Sequence, residues 1–339
     1  MQLEYLLRFV VGCNRSTYST LDVIRRKKKF MKAIALSAFN QSPELIHIDV
    51  PTPAEGEVRV RVHAASVNGF DLAVANGYLN GMEHRFPVVL GRDFSGTVDE
   101  LGAGVEGYQV GDRVFGVVTK NFLGDGSFAE YVTVPVAIGI AKLPDSVTFS
   151  EAAGLGLAGA AAVDSFDAAQ IGADTTVLIA GATGGVGNQA LQLALRAGAD
   201  VIATAHSAEE VEAVTALGAR NTVDYTGDVS AQVRALRAEG VDVVMHFAGD
   251  PAAVASALKK GGRFVSTIAQ SVEQLGGAED VQFTSILATP STATLERLAK
   301  NQADHYTAIA VQREYPLAET PDAFGHFAGG TLGKLVITV

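Results

Sequence analysis

A glycine-rich turn near the middle of the chain has the composition and spacing of a phosphate-binding loop. It reads A-T-G-G-V-G from Ala182 to Gly187, a G-x-G-x-x-G pattern with alanine in the first position. Glycines at this spacing let the backbone approach a pyrophosphate, and free N–H groups at the start of the next helix face the phosphates. We assign the diphosphate of a dinucleotide to Thr183, Gly184, Gly185, Val186 and Gly187.

The sequence on either side of the turn supplies the elements that such a loop requires. The apolar run from Val177 to Ala180 precedes it, apolar residues at helical spacing follow it, and a second short strand is predicted from Val201 to Ala203. Strand, turn, helix and strand in this order form a βαβ unit. The motif therefore predicts a dinucleotide-binding fold rather than an isolated glycine loop.

The alternation of helices and strands continues beyond Ala205 and predicts a doubly wound parallel sheet of about six strands. The predicted helices are residues 208–217, 231–237 and 251–258, and the predicted strands are residues 221–224, 241–249 and 262–269. Phe247 and Ile268 lie near the ends of the last two strands, and we assign both to cofactor contact.

The first half of the chain has a different pattern, with short strands separated by glycines. Strands are predicted at Val58–His63, Val88–Leu101 and Val114–Val118, and small residues become frequent from Glu151 onward. The last strand, from Lys334 to Val339, is expected to return to this half. We therefore predict a β-rich domain from residues 31–150 with 291–339, and a nucleotide-binding domain from residues 151–290.

Residues 1–30 differ from the rest of the chain, because they include a basic run from Arg25 to Lys29. The segment that begins at Met31 has the character of a natural enzyme start. We interpret residues 1–30 as a dispensable, disordered extension. An organelle presequence is the alternative, although Glu4 and Asp22 count against it.

Composition and charge restrict the class of protein. At 339 residues and 48% hydrophobic content, the chain is an ordered globular protein large enough for two domains. Its net charge of −11 opposes binding to nucleic acid or to an anionic membrane surface, and no apolar run has the length of a membrane span. A single cysteine, Cys13, allows no disulfide framework and predicts a reducing, cytoplasmic compartment. The expected partner is a small-molecule substrate.

The end of the second strand of the βαβ unit bears on the choice between NADH and NADPH. Folds that prefer NAD place Asp or Glu there to hold the ribose hydroxyls, whereas this chain has Thr204, Ala205, His206 and Ser207. His206 and Ser207 could hydrogen-bond a 2′-phosphate. The nearby Glu209 and Glu210 are expected to stabilise a helix start. The sequence thus predicts NADPH as the cofactor.

Several ordered motifs give the chain a family resemblance. They are HAASVNGFDLAVANGY (residues 63–78), PVVLGRDFSGTVDELGAGVEGYQVGDRVFG (87–116), GSFAEYVTVP (126–135), the glycine turn, and GTLGKLVITV (330–339). From Met31 to Val339 the chain resembles the medium-chain dehydrogenase/reductase superfamily, in its zinc-free quinone oxidoreductase and zeta-crystallin branch. The resemblance implies a GroES-like catalytic domain joined to a Rossmann domain, and a pocket tyrosine at Tyr225.

Metal binding is not expected, because a catalytic zinc needs three ligands among Cys, His and carboxylate. In zinc-dependent relatives these ligands occupy three positions, and the corresponding residues here look like Asn68, Arg92 and Leu157. None of the three can replace a lost ligand. The four-cysteine structural zinc lobe is missing as well.

The resemblance also suggests residues for catalysis. Asn68 could orient the nicotinamide ribose or a substrate carbonyl, and Tyr78 resembles the proton-donating tyrosine of enoyl reductases, with a plain aromatic wall as the alternative. Lys334 either reaches the cofactor or is a solvated surface lysine. Asp71 and Asp93 are expected to be buried structural carboxylates. His63 is expected to be a core or surface histidine.

Three functions remain open from the sequence. The first is an NADPH-dependent quinone reductase, the second is an NADPH-dependent enone or enoyl-thioester reductase, and the third is a low-turnover, crystallin-like NADPH-binding protein. Without a metal, alcohol dehydrogenation is disfavoured because nothing obvious stabilises an alkoxide. The resemblance implies a homodimer joined through a strand in residues 262–269 or 281–288.

Overall fold

The computed structural model describes residues 30–278 and 280–339. The predicted extension, residues 1–30, lies outside the described residues except for Phe30, which begins the first strand. In chain order the strands are β1 (Phe30–Leu36), β2 (Glu44–Asp49), β3 (Glu57–Ser66), β4 (Val88–Val89), β5 (Asp93–Leu101), β6 (Arg113–Val117), β7 (Tyr131–Pro135), β8 (Ile140–Lys142), β9 (Thr176–Ala180), β10 (Asp200–Thr204), β11 (Asn221–Val223), β12 (Val241–His246), β13 (Leu258–Ser266), β14 (Gln282–Ser285), β15 (Val311–Pro316) and β16 (Lys334–Thr338). The α-helices are α1 (Gly69–Ala75), α2 (Phe149–Ala169), α3 (Gly185–Arg196), α4 (Ala208–Ala216), α5 (Val229–Leu236), α6 (Pro251–Ala255), α7 (Thr292–Ala303) and α8 (Thr320–Ala328).

A parallel six-stranded sheet confirms the predicted doubly wound fold. Its strand order is β11-β10-β9-β12-β13-β14, and every neighbouring pair is parallel. From β9 the chain adds strands outward to β11 on one side, and from β12 it adds them outward to β14 on the other side. The direction in which strands are added therefore reverses between β9 and β12. In open α/β sheets, ligands bind at this reversal, outside the carboxyl ends of the strands.

The remaining strands form two further sheets, in which every pair is antiparallel except β15 with β16, which is parallel. A seven-stranded sheet has the order β15-β16-β3-β5-β6-β8, with β7 also paired to β3. A smaller sheet has the order β2-β1-β4. The final strand, β16, pairs antiparallel with β3, so Val336 lies opposite Ser66. The C-terminus thereby lies in the same sheet as the residues just before Asn68.

Helix α2 joins the two sheet systems, and its small side chains explain how closely it packs. A Cβ on Gly156 would lie 2.6 Å from Asp93 Oδ1, and a Cβ on Gly159 would lie 2.9 Å from Leu298 Cδ1. Leu155 and Leu298 belong to one buried apolar cluster where α2 meets α7. Burying a leucine side chain stabilises a fold by about 1.5–3 kcal/mol, so this junction holds the two halves firmly together.

Three local predictions differ from the structure. The strand predicted at Val88–Leu101 is divided into β4 and β5, which residues 90–92 separate. The segment after Asn68 forms the short helix α1 rather than only strands and turns, since Asp71 accepts a hydrogen bond from the Asn68 N–H, as in a capping box. The predicted helix over residues 251–258 ends at Ala255, and β13 begins at Leu258. A register shift opposite Val241 to Val243 allows β13 to start early.

No helix within residues 30–278 and 280–339 is both long enough and apolar enough to cross a membrane.

Candidate functional site

The glycine turn leaves β9 through a residue that only glycine accommodates easily. Gly181 has φ +83°, and a Cβ on it would lie 2.8 Å from the Ala248 side chain. Its N–H donates to Thr204 Oγ1 at 2.9 Å, which ties the turn to the end of β10. Gly187 packs against the same residue, because a Cβ on Gly187 would lie 2.0 Å from Gly181 O. The sequence pattern begins at Ala182, so Gly181 is not among the predicted site residues. Its place directly after a buried strand could have identified it.

The start of α3 fits a bound diphosphate. Gly184 is the N-cap of this helix and supplies no side-chain acceptor, so the first-turn N–H groups are left to an external anion. A Cβ on Gly184 would have Gly181 O, at 3.7 Å, as its nearest neighbour. The space in front of the turn is therefore open. Thr183 to Val186 are half-buried and lie at this opening.

The turn is docked against the start of the C-terminal strand. Gly333 donates its N–H to Thr183 O at 2.8 Å, and Gly184 and Gly333 form a parallel bridge. A Cβ on Gly185 would lie 2.5 Å from Lys334 Cδ, so the aliphatic stem of this lysine lies directly against the turn. The candidate phosphate-binding turn and the seven-stranded sheet therefore meet at Gly333 and Lys334.

Lys334 ends in a buried polar network. The side chain is only 3% exposed, and its Nζ donates to Val67 O at 2.9 Å and to Asn68 Oδ1 at 2.7 Å. Asp93 Oδ2 lies 3.6 Å from the same nitrogen. Burial lowers the pKa of Lys334, and the carboxylates of Asp93 and Asp71 oppose that change. Lys334 is therefore not a solvated lysine, and the part of it that faces the turn is its stem.

Asp93 organises the same network from the start of β5. It is fully buried, and its Oδ2 accepts from Ser66 Oγ at 2.7 Å and from Asn68 Nδ2 at 2.9 Å. Its Oδ1 accepts from the Leu157 N–H at 2.7 Å. A buried carboxylate with this many donors is a structural anchor, as expected from the sequence. It connects α2 to Asn68.

Asp71 is a second buried carboxylate beside Asn68. Its oxygens accept from the Asn68 N–H at 2.8 Å and from the Gly91 N–H at 3.2 Å. Burial raises the pKa of Asp71 to about 7, helped by the nearby Asp93 and opposed by the Asn68 hydrogen bond. Asp71 thus holds the backbone of Asn68 in place.

The two residues predicted for catalysis lie in contrasting environments. Asn68 is 7% exposed, and both ends of its amide bond protein groups, Lys334 and Asp93. Tyr78 is 79% exposed, and its backbone N–H donates to Ala73 O at 2.9 Å. The network fixes the orientation of Asn68, whereas the Tyr78 hydroxyl projects toward solvent.

The residues at the positions that correspond to zinc ligands make contacts with protein groups instead. Arg92 lies with its guanidinium carbon 4.5 Å from the centre of the Phe70 ring, and its buried Nε has no hydrogen-bond partner within the described residues. Burial lowers the pKa of Arg92, opposed by Asp71 and Asp93. Leu157 contributes only its N–H, to Asp93. Across residues 30–278 and 280–339, no group of three or more His, Cys, Asp or Glu residues could hold a metal ion.

A separate cluster forms at the carboxyl ends of β10 and β11. Glu210 Oε2 accepts from the backbone N–H of His206 at 2.6 Å and from the backbone N–H of Ser207 at 3.1 Å. Glu210 Oε1 accepts from the hydroxyl of Tyr225 at 3.0 Å. Ser207 caps α4 by accepting from the Glu210 N–H at 3.1 Å. The structure thus gathers His206, Ser207 and Tyr225 around one carboxylate, and Glu210 stabilises the helix start as expected.

A second carboxylate, Asp224, borders this cluster. It lies 3.0 Å from His206 Nδ1, and its Oδ1 accepts from the N–H and the hydroxyl of Thr226. These Thr226 bonds, together with the His206 bond, lower the pKa of Asp224 to about 2. Two carboxylates, Asp224 after β11 and Glu210 in α4, therefore lie at the carboxyl end of β10.

Phe247 and Ile268 follow β12 and β13, and a buried pair fixes their positions. His246 Nδ1 lies 2.9 Å from Ser266 Oγ, and His246 Nε2 lies 3.1 Å from Gly249 O. Ser266 Oγ also accepts from the Ile268 N–H at 3.0 Å. Burial lowers the pKa of His246, so the ring is held neutral. Reasoning from sequence missed this pair, because His246 and Ser266 stand in separate strands with no local spacing signal.

Comparisons with known proteins agree with this arrangement. A family model described as alcohol dehydrogenase GroES-like domain matches residues 54–145, and one described as zinc-binding dehydrogenase matches residues 185–288. The chain is 33% identical over 207 residues to a chloroplast envelope quinone oxidoreductase homolog from Arabidopsis thaliana. It is 34% identical over 185 residues to an NADPH-dependent alkenal/one oxidoreductase, chloroplastic, from the same plant.

These matches differ in how much of each protein they cover. The first alignment covers 58% of this chain and 62% of the relative, and the second covers 53% and 48%. The chain therefore spans less than two thirds of the length of these relatives. The quinone oxidoreductase from Coxiella burnetii, a solved structure, matches over 92% of this chain and 100% of its own, with a TM-score of 0.84 and 28% identity.

Proposed function

This chain belongs to the medium-chain dehydrogenase/reductase superfamily, and from that premise we propose that it is an NADPH-dependent quinone reductase that transfers hydride without a metal. One observation carries the proposal. The open glycine turn before α3 packs against Lys334, whose Nζ donates to Asn68. A dinucleotide held at the turn would therefore extend toward Asn68.

Different residues around the turn would contact different parts of the cofactor. Thr183 to Gly187 would hold the diphosphate at the N-terminus of α3. His206, Ser207 and Tyr225 would meet the adenosine ribose. Phe247, Ile268, Asn68 and the stem of Lys334 would contact the nicotinamide half. Bound NADPH supplies a hydride.

The chain's own contribution is to position the substrate and to supply a proton. Lys334 and Asp93 hold the Asn68 amide in one orientation, which suits it to aligning a ring or a carbonyl oxygen. We assign the proton to the exposed hydroxyl of Tyr78. Quinone reduction is favoured over alcohol oxidation because Asn68, Arg92 and Leu157 offer no ligand set for the zinc that would stabilise an alkoxide.

Enone reduction is the second candidate function. It is favoured by the relative named as an NADPH-dependent alkenal/one oxidoreductase, and it uses every cofactor contact described above. A crystallin-like protein that binds NADPH with little turnover is the third. The three differ in what happens after NADPH binds, so turnover separates them.

The test follows the loss of NADPH absorbance with a panel of 1,4-quinones and 2-alkenones, using protein dialysed against a chelator. Turnover of quinones by zinc-free protein is the expected result. Turnover of alkenones alone would transfer the assignment to the second function. NADPH binding without turnover of any compound would support the third. Stoichiometric zinc retained by the dialysed protein would contradict metal independence.

The proposal includes an organisation of the chain. Residues 31–150 with 291–339 would form the catalytic domain, and residues 151–290 would form the nucleotide-binding domain. We further propose a cytoplasmic homodimer joined through the outer strands of the parallel sheet, β13 or β14, of which β14 is the edge strand. Light scattering on the purified chain tests the dimer.

A further inference from the structure

We propose that Arg92 binds the carbonyl oxygen of the substrate and stabilises the negative charge that this oxygen gains during reduction. The inference rests on the proposed reductase function and deepens it. It concerns a residue that belongs neither to the proposed cofactor contacts nor to the proposed proton donor.

The guanidinium of Arg92 is held without a hydrogen-bond acceptor from the protein. Its Nε is buried and has no partner, and it is the only charged group among the three side-chain atoms of residues 30–278 and 280–339 that share this state. No hydrogen bond or ion pair joins its terminal nitrogens to another described residue. An arginine keeps its charge in proteins, and a buried charge without a partner is costly. The terminal N–H groups of Arg92 are therefore free to bind an acceptor on a ligand.

The carboxylates nearest in charge to Arg92 are occupied by other donors. Asp71 and Asp93 both attract the guanidinium across the interior. The oxygens of Asp71 accept from the backbone N–H groups of Asn68 and Gly91, and those of Asp93 accept from three donors, one of which is the Asn68 amide. The two carboxylates that hold Asn68 thus lower the electrostatic cost of a nearby cation without using its hydrogen bonds. The free guanidinium therefore belongs to the same polar region as Asn68.

The backbone and an aromatic ring fix the position of Arg92. Gly91 has φ +98°, and a Cβ on it would lie 2.7 Å from Phe128 N, so this turn before β5 requires glycine. The Arg92 carbonyl accepts from the Val118 N–H at 2.8 Å. The guanidinium packs on the ring of Phe70, with 4.5 Å between its carbon and the ring centre. Arg92 and Phe70 border one cavity, whose other walls include Val74, Val118, Lys120 and Phe122.

The second cation at this cavity, Lys120, is already engaged. Its Nζ donates to Asp125 Oδ2 at 2.7 Å and to Thr133 Oγ1 at 2.6 Å, and it lies 3.5 Å from Glu57 Oε1. Lys120 therefore has protein partners for its charge, whereas Arg92 has donors to offer a ligand.

The proposed reaction creates the charge that such a group stabilises. A quinone accepts a hydride from the reduced nicotinamide, whose C–H bond breaks, and becomes a hydroquinone monoanion with two more electrons and one more proton. A second proton, assigned above to Tyr78, completes the hydroquinone. An enone that accepts the hydride at its β-carbon likewise becomes an enolate with negative charge on oxygen. A cation with free N–H donors in a partly buried site favours the anion over the neutral carbonyl.

Arg92→Gln tests this role, because it removes the charge and keeps a polar side chain. We expect kcat with 1,4-quinones or 2-alkenones to fall about 10²-fold, the usual effect of removing one oxyanion donor. The dissociation constant of NADPH should change less than about twofold. Arg85→Gln is the matched control. Arg85 also packs on an aromatic ring, that of Phe122 at 4.3 Å, but its side chain is 68% exposed and pairs with Glu83. Its kcat should stay at the wild-type value.

Binding of 4-nitrophenol gives a second readout that needs no turnover. Its phenolate resembles the hydroquinone monoanion, and visible absorbance measures the fraction of the bound compound that is phenolate. The full chain is titrated at neutral pH in the presence of saturating NADP⁺. We expect the wild type to bind the phenolate at least about tenfold more tightly than the neutral phenol, and Arg92→Gln to lose that preference. Arg92→Lys keeps the charge and should keep the preference, as should Arg85→Gln.

The two readouts separate failure of this inference from failure of the proposed function. A wild type that binds both forms of 4-nitrophenol equally, or an Arg92→Gln protein that keeps the preference, would overturn the role of Arg92 whatever its kcat. Equal losses in Arg92→Gln and Arg85→Gln would overturn it also, by indicating net charge. If Arg92→Gln shows no cooperative melting transition, Arg92→Lys decides, and loss of the preference in that folded variant would overturn the proposal.

The state of the wild type shows which proposal has failed. If it reduces quinones or alkenones and Arg92→Gln does so at the same rate, only the role of Arg92 falls. If it binds NADPH but reduces no compound, the reductase assignment falls, and loss of the phenolate preference in Arg92→Gln would still support Arg92 as the oxyanion-binding residue. If it binds no NADPH, both proposals fall together.

Discussion

The Nζ of Lys334 lies 2.7 Å from the Oδ1 of Asn68, although the two residues are 266 positions apart in the chain. The stem of the same lysine lies against Gly185, and its charge is balanced by Asp93, 3.6 Å away. One side chain thus connects the phosphate-binding candidate to the amide predicted to orient substrate. Lys334 and Asp93 also form a pair in the protein interior, where removal of one partner lowers the free energy of unfolding.

Replacing Lys334 with methionine should destabilise the protein by about 3 kcal/mol or more, because it removes the ammonium group that lies 3.6 Å from the buried Asp93 carboxyl group. Urea unfolding measures the change in the free energy of unfolding. Lys142→Met is the control: Lys142 pairs with Asp112 at 3.1 Å but is 60% exposed, so its loss should cost less than about 1 kcal/mol.

A double mutant checks the cause of that destabilisation. Lys334→Met combined with Asp93→Asn removes both charges, so its cost should be smaller than the sum of the two single changes. Strict additivity would show that the two charges do not stabilise each other. A Lys334→Met protein within about 1 kcal/mol of wild type would contradict a charged, paired lysine at this position.

Features of the fold encoded over short stretches could be predicted from the sequence. The alternation after Ala205 gave the six-stranded parallel sheet, because each strand and helix carries its own periodicity. The pairs Asn68 with Asp71 and Ser207 with Glu210 are three residues apart, which is the spacing of a capping box. The sequence therefore contained the signal for the helix α1 that was missed.

Features that depend on distant residues could not be predicted. Nothing in the segment around Lys334 indicates that its ammonium group reaches Val67 and Asn68, because β16 must first pair with β3. The contact of Tyr225 with Glu210 likewise forms only when β11 lies beside β10. The predicted site residues stay predictions, and what the structure adds is the set of partners that each one has.

Gly184→Ala should weaken dinucleotide binding with a small effect on stability. The new Cβ would meet only Gly181 O, at 3.7 Å, but it would stand in the open space where the diphosphate is proposed to lie. We expect a loss of affinity of about tenfold or more, and a stability cost of about 1 kcal/mol because alanine is a poor N-cap. Calorimetry with NADPH and thermal unfolding measure the two.

Gly172→Ala is the matched control for that change. Its added Cβ would have no atom within 4 Å, and Gly172 precedes β9, whereas the turn follows the other end of that strand. NADPH affinity should stay at the wild-type value in Gly172→Ala. If Gly184→Ala also kept wild-type affinity, the diphosphate would not lie in front of this turn.

His246 should make the protein less stable as the pH falls below about 6.5. Ser266 Oγ already accepts two backbone N–H groups, so we infer that its hydroxyl donates to His246 Nδ1 and that His246 Nε2–H donates to Gly249 O. Burial lowers the folded-state pKa of His246 below its usual value of 6.5. Below that pH the unfolded chain therefore binds a proton that the folded chain excludes.

The stability contributed by His246 is thus fully present above pH 6.5 and is lost as the pH falls toward the folded-state pKa. The slope cannot exceed about 1.4 kcal/mol per pH unit for one group. The free-energy difference between wild type and His246→Gln should therefore shrink from about pH 7.5 to about pH 5. His47→Gln, on the exposed face of β2, controls for the loss of one histidine. A difference that grows as the pH falls would contradict a neutral, buried ring.

Tyr78→Phe should lower turnover while leaving cofactor affinity and stability nearly unchanged. The side chain is 79% exposed, so the loss of its hydroxyl leaves no buried donor or acceptor without a partner. A general acid typically contributes about 10²–10⁴-fold to a rate, so, with Tyr78 as the proton donor, a fall of at least tenfold in kcat with quinone or alkenone is expected. The dissociation constant of NADPH should change less than about twofold. Tyr306→Phe is the control, because Tyr306 is also exposed but lies under Arg196, 5.4 Å from its ring centre. If Tyr78→Phe and Tyr306→Phe both turned over every substrate at the wild-type rate, Tyr78 would not be the proton donor, and solvent would have to supply the proton.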